Sequence, residues 1–224
     1  MSSETPGLPL LEADMHNRSF TDWRTSFWKA FLLSIITCGI YWIYVLYKLL
    51  DRRQQHFERM VSFRQHLLEV LRQRAELAGQ ADVLAGDFSE LEGIGLEATT
   101  RDRAGEKSPV LWLVLSIVIG VVVYYVYYFL HDDFRAHEAN EVRFMAKAGE
   151  IMTRLNIPRG AFMPEAVLPE RSFVTYLILT IITCGIYGLY WVYTIIRDPN
   201  DHFDVHDQWE NALEVALAPA AAAS

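Results

Sequence analysis

Three long apolar runs, at residues 26–50, 110–130 and 173–196, constrain this chain more than any other feature. Nearly all the charge lies between them. The 224 residues are 52% hydrophobic, an average that a soluble domain could also show. Segregation decides the matter, because a single soluble core does not collect its apolar residues into uninterrupted stretches of helix-spanning length. A bilayer core takes about 20 apolar residues as helix. The run at 110–130 is rich in Val and Ile, which would suit a strand in water. It is too long for one strand, and a bilayer favours the helix, which satisfies every backbone group internally. The expected fold is therefore all-α: an integral membrane protein with three transmembrane helices, each followed by an amphipathic helix.

Lys29 and Lys48 stand near the ends of the first run, placed to snorkel. Trp28 lies near one end, with Tyr44 and Tyr47 toward the other, as interfacial aromatics do. Residues 1–25 read as a disordered polar tail with no signal-peptide pattern. Residues 51–78 carry Phe57, Val61, Leu67, Leu68, Leu71 and Leu77 near helical spacing, with Gly79 as a stop. Residues 79–108 read as a linker with a short helix near Leu84 to Leu91, and residues 131–156 as a second amphipathic helix. A second linker covers 158–171. Asp198-Pro199-Asn200 marks a break before a short helix at 201–217, and 218–224 form a low-complexity tail.

The runs repeat one another. Aligned on Gly39, Gly120 and Gly185, they match without gaps at Tyr44, Tyr125 and Tyr190, and again at Tyr47, Tyr128 and Tyr193. Seventeen residues beyond each glycine stand His56, His137 and His202, and further on Phe63, Phe144 and Trp209. The first and third copies also share Thr37/Thr183, Cys38/Cys184, Ile40/Ile186, Tyr41/Tyr187 and Phe57/Phe203. The units are thus 26–78, 109–157 and 172–217. Two geometries compete. Straight spans alternate in direction, which makes copies one and three parallel and copy two inverted. Alternatively, each run bends at its Cys-Gly into a re-entrant hairpin of two half-helices, which keeps all three histidine ends on one side. Copy two carries no turn signal around Gly120, which favours straight spans.

The stretch Thr183-Cys184-Gly185-Ile186-Tyr187-Gly188-Leu189-Tyr190-Trp191 resembles a family of small prokaryotic multi-pass membrane proteins known only as a domain of unknown function, whose signature is Thr-x-Gly-Ile-Tyr-x-x-Tyr-Trp. The first copy departs from it only by Val45 in place of the Trp, and the middle copy keeps Gly120 and Tyr125. The resemblance implies membrane residence and a helical fold. It supplies no activity and no catalytic residues.

Gly39 and Gly185 are read as sites of close helix approach, with Thr37 or Thr183 bonding a neighbouring helix. Tyr187, Tyr190 and Tyr193 form a stripe on one face. The two cysteines, Cys38 and Cys184, exclude a disulfide framework and a Cys-rich zinc site, and read as small, buried, inert residues. No metal centre and no cofactor are expected. The weak metal candidates are His202 with His206, and Asp133 with His137 beside His131. Nucleotide-binding and hydrolase motifs are missing, and no ionisable residue lies mid-run, which argues against a pump. A net charge of −8 without a basic block excludes nucleic acid as main partner.

These readings point to a multi-pass protein of the cell membrane, in contact with the lipid bilayer and self-associating. Its expected role is a non-enzymatic scaffold or interaction protein. An oligomeric channel or passive transporter lined by Tyr and Thr, and a metal-dependent membrane enzyme using the His/Asp clusters, are the alternatives. A slight excess of Arg and Lys places loop 51–108 and the C-terminus in the cytoplasm and the N-terminus outside.

Overall fold

The computed structural model describes residues 6–103, 107–158 and 164–218. It is all-α. The helices are α1 (Leu8–His16), α2 (Arg18–Thr21), α3 (Phe27–Ile36), α4 (Ile40–Leu77), α5 (Ala85–Arg103), α6 (Pro109–Val118), α7 (Val122–Arg154), α8 (Phe173–Ile182) and α9 (Ile186–Leu217).

None of the three apolar runs forms one helix. Each is divided at its repeat glycine into a ten-residue helix (α3, α6, α8) and the start of a long one (α4, α7, α9). The expected straight spans at 26–50, 110–130 and 173–196 are therefore corrected to three helical hairpins. No helix among the described residues is long and apolar enough to cross a membrane.

The physical cause is local in copies one and three. Cys38 and Gly39 adopt φ of 49° and 90°, and Cys184 and Gly185 adopt 49° and 94°. Two successive left-handed residues reverse the chain, and the second is tolerable only as glycine. Threonine joins the two half-helices. The Thr37 hydroxyl donates to the Leu33 carbonyl (2.7 Å) and accepts from the Tyr41 N–H (2.9 Å). Thr183 does the same with Leu179 (2.7 Å) and Tyr187 (2.9 Å). The glycine N–H reaches back five residues, from Gly39 to the Ser34 carbonyl (2.7 Å) and from Gly185 to that of Thr180 (2.8 Å). These bonds occupy groups that helix ends otherwise leave unpaired.

Copy two turns differently. Ile119 leaves the helical region at φ −119°, ψ 67°, and its carbonyl accepts the Val122 N–H at 2.7 Å. Gly120 takes no left-handed conformation. Packing holds the bend, with the Trp112 ring 5.3 Å from both Tyr125 and Phe129 across the hairpin.

The three long helices run parallel and in register. At one level Val45, Val126 and Trp191, six residues past each glycine, are buried together. Further along, Phe63, Phe144 and Trp209 share a second core with Leu67, Leu71, Ile151 and Leu213. The expected inversion of copy two is thereby corrected: all three copies point the same way. Each short helix lies against its own long helix and a neighbouring one, α3 on α9, α6 on α4, and α8 on α7 through Phe173 and Tyr128.

Three further expectations change. Residues 6–25 are structured: Leu8, Leu11 and Met15, one helical face, are buried in the core around α4. Most of the 79–108 linker is α5, which packs on α4 and α7. Its glycines hid the helix, yet a Cβ at Gly95 would stand 3.2 Å from the Phe144 ring, so one of them permits the contact. The break at Asp198-Pro199-Asn200 does not occur, and α9 runs through Pro199. The missing proline N–H frees the Ile195 carbonyl, and the buried Arg52 guanidinium donates to it at 2.8 Å. Part of the second linker (159–163) and most of the C-terminal tail (219–224) lie outside the described residues.

Candidate functional site: a buried histidine centre beneath three hairpins

The register that aligns the long helices also brings their histidines together. His56 on α4, His137 on α7, and His202 with His206 on α9 are all buried. One ring nitrogen from each lies within 4.8 Å of the others. Phe57, Phe134 and Phe203 pack around them.

Three of the rings are held alike. His56 Nδ1 is 2.8 Å from Asp22 Oδ1, His137 Nδ1 is 2.9 Å from Asp102 Oδ1, and His202 Nδ1 is 3.2 Å from Glu138 Oε1. In each, Nε2 is buried without a hydrogen-bond partner. A carboxylate on Nδ1 keeps the proton there and turns the Nε2 lone pair inward. His206 differs, with Nδ1 2.9 Å from Glu210 and Nε2 3.0 Å from Glu141.

The carboxylates are themselves fixed. Arg59 bridges Asp22 (3.0 Å) and Glu210 (2.8 Å), and Arg64 holds Asp102 (2.6 Å). The backbone N–H groups of Val167 and Leu168 both bond Glu138 at 3.0 Å. Five buried carboxylates thus face two buried arginines, with Arg18 at the rim 3.5 Å from Glu210. Burial alone would raise the Asp22 and Glu141 carboxyls, but His56 and Arg59 at the first, and His206 at the second, hold them well below the usual range. Burial pushes His56 and His202 down, so both are neutral at pH 7. His206 resists the same burial because Glu141 and Glu210 raise it to about 9. Neutral His56 and His202 imidazoles therefore line the middle of a centre whose carboxylates are paired with arginine, histidine or backbone N–H groups.

Among the residues singled out in the sequence, the structure joins His56, His137, His202 and His206. It does not join His131 or Asp133 to them. His131 Nε2 lies 3.4 Å from Thr194 Oγ1, and Asp133 pairs with Arg53 (2.7 Å) and Lys107 (2.6 Å). The signature residues fall at the opposite end. Cys38 and Cys184 are exposed, not buried. A Cβ at Gly39, Gly120 or Gly185 would meet nothing within 4 Å, so none of them mediates close packing. That role falls to Gly188, whose Cβ would stand 3.3 Å from Thr180. Thr37 and Thr183 cap their own hairpins instead of bonding a neighbouring helix. Trp191 is buried, while Tyr44, Tyr125 and Tyr190 are 47%, 46% and 45% exposed, an agreement that marks them as equivalent positions. Tyr41 and Tyr187 pack against Tyr44 and Tyr190 on the same faces.

Asp22, Asp102, Glu138, Glu141, Glu210, Arg59 and Arg64 were not read from the sequence as site residues. A signal for two of them exists. Asp22 precedes its histidine by 34 residues and Asp102 by 35. The repeat thus extends upstream of the apolar runs. In copy three the corresponding place is occupied by Val167 and Leu168, whose backbone holds Glu138 in the aspartate's stead.

The hairpin end is apolar on its outside. Ile36, Val118 and Ile182, the last residues before each turn, are 74%, 74% and 71% exposed. Leu32, Ile40, Val114, Val121, Ile178 and Ile186 are exposed beside them. A cavity of about 340 Å³, lined mainly by apolar residues such as Phe31, Val123 and Leu189, opens between the hairpins. At the base stand Lys48, paired with Asp51 (2.6 Å), and Arg171, paired with Asp198 (2.6 Å).

No curated protein and no solved structure matches the chain. Residues 25–71 and 171–219 match the model of a family described as Domain of unknown function (DUF4234), so the first and third copies, with His56, His202 and His206, are similar to that family.

Proposed function

We propose that this protein is a monotopic membrane protein: its three hairpins enter one leaflet of a bilayer and hold the helical body, with its histidine centre, at the surface as a membrane-attached scaffold. The observation that carries this reading is the shared exposure of apolar residues on all three hairpin tips. A ten-residue helix is about 15 Å long, half of a ~30 Å hydrocarbon core. Hydrocarbon tolerates a chain reversal only where its polar groups are satisfied within the protein. The Thr-Cys-Gly turn meets that demand through its threonine and its five-residue N–H bond. Lys29, Lys48 and Arg171 at the base suit the headgroup region, with Trp23 and Trp28 beside them.

Alternating spans would separate residues 89 and 139 by a bilayer; hairpins keep both in water on one side. Single cysteines at Ser89→Cys and Ala139→Cys, in a chain lacking Cys38 and Cys184, test this with an impermeant maleimide on oriented vesicles. Both label from the same side under the monotopic reading. Labelling from opposite sides overturns it, as does a chain that fails to float with liposomes.

A further inference from the structure

We propose that the histidine centre is a metal site, in which Nε2 of His56, His137 and His202 bind one zinc-class divalent ion and His206 supplies the fourth donor. The three imidazoles come from equivalent positions of three repeats, and each carries the arrangement that metal-bound histidine uses: Nδ1–H donates to a carboxylate, and the buried Nε2 makes no hydrogen bond, although that of His202 lies 3.9 Å from Glu141. Three buried nitrogen atoms without a hydrogen bond are costly to leave so. An ion at their centre would satisfy all three at once.

The donor set selects the ion class. All-imidazole ligation suits zinc and its transition-metal neighbours, whereas magnesium and calcium take oxygen. Tetrahedral donors at Zn–N of about 2.0–2.1 Å stand roughly 3.4 Å apart. The ring nitrogens now lie within 4.8 Å of one another, and binding would draw them together. His206 joins by releasing Glu141, which then accepts no bond from that nitrogen and stands beside the ion. With all four histidines buried there is no open coordination position, so the ion is structural: it pins α4, α7 and α9 at one level.

The test uses the full chain in detergent, so that its outcome does not depend on how the hairpins meet a bilayer. Elemental analysis of the purified protein should give about one zinc per chain. After chelator treatment, cobalt(II) should titrate to the same stoichiometry and develop the visible ligand-field bands of a tetrahedral nitrogen site, and zinc should raise Tm. Asp102→Asn, which touches no ion, should weaken zinc binding ~10–100-fold. His137→Gln should abolish it, and His131→Ala, outside the cluster, should leave it unchanged. If His137→Gln does not fold, the wild-type cobalt spectrum and the Asp102→Asn affinity still decide. A folded, chelator-treated chain that takes up neither cobalt nor zinc overturns the proposal. So does zinc uptake that Asp102→Asn leaves unaltered.

Discussion

At one end of the three long helices, Ile36, Val118 and Ile182 face outward with no protein over them. Further along, between the same helices and the flanking segments that carry Asp22 and Asp102, four histidines, five carboxylates and two arginines are buried. The two regions invert the usual arrangement in opposite senses. Apolar atoms are solvent-accessible in any protein, but exposed apolar residues recurring on three equivalent elements mark an interaction surface, and the monotopic proposal assigns it to a bilayer. Buried charge is tolerated only when paired and hydrogen-bonded, and here nearly every carboxylate has a named partner. Under that proposal the hairpins depend on what lies outside the chain, whereas the histidine centre depends on contacts within it. A substitution should damage one property at each end and spare the other.

The largest effect is expected at the tips. Ile36→Asp, Val118→Asp and Ile182→Asp each cost about 3 kcal/mol of bilayer insertion if they sit mid-membrane. Combined, they should abolish liposome co-flotation and leave Tm in detergent unchanged. A triple variant that still floats breaks the comparison at this end. Next comes the centre. Asp22→Ala strands His56 and Arg59 and should lower stability by ~3–5 kcal/mol, read as a fall in Tm, while the folded fraction still floats.

Two smaller effects sharpen the contrast among the hairpins. Gly185→Ala forces a side chain into the left-handed region and should cost ~1–2 kcal/mol. Gly120→Ala, with φ outside that region and open space around it, should stay within about 0.5 kcal/mol. Equal losses at both would show that the turns are alike after all. Thr183→Val removes a hydroxyl that serves both half-helices and should cost about 1 kcal/mol in chemical denaturation.

The all-helical character was legible because ten-residue and longer apolar stretches have few other solutions, and the repeat was legible because His56, His137 and His202 recur at one distance from a glycine. The Thr-Cys-Gly turn is also local, since its bonds join residues no more than five apart. It permitted both a straight and a bent reading, and the absence of that turn around Gly120 pointed the wrong way. Copy two bends because Trp112 packs on Tyr125 and Phe129, a contact that no sequence window announces. The helix over Pro199 and the ordered segment containing Asp22 were missed for a similar reason. Arg52 satisfies the first from 143 residues away, and the second is held by His56 and Arg59 on another helix.

What the sequence determined by itself was periodicity: three apolar units, each ending in a histidine at a set distance from its glycine. Whether those histidines stand on opposite faces of a bilayer or touch one another depends on the direction of the middle unit. Only tertiary packing decided that. The physical reason is reach. Hydrogen bonds within a turn are encoded in adjacent residues, whereas the pairing of Asp22 with His56, Asp102 with His137 and Glu138 with His202 exists only once three parallel helices have been brought into register.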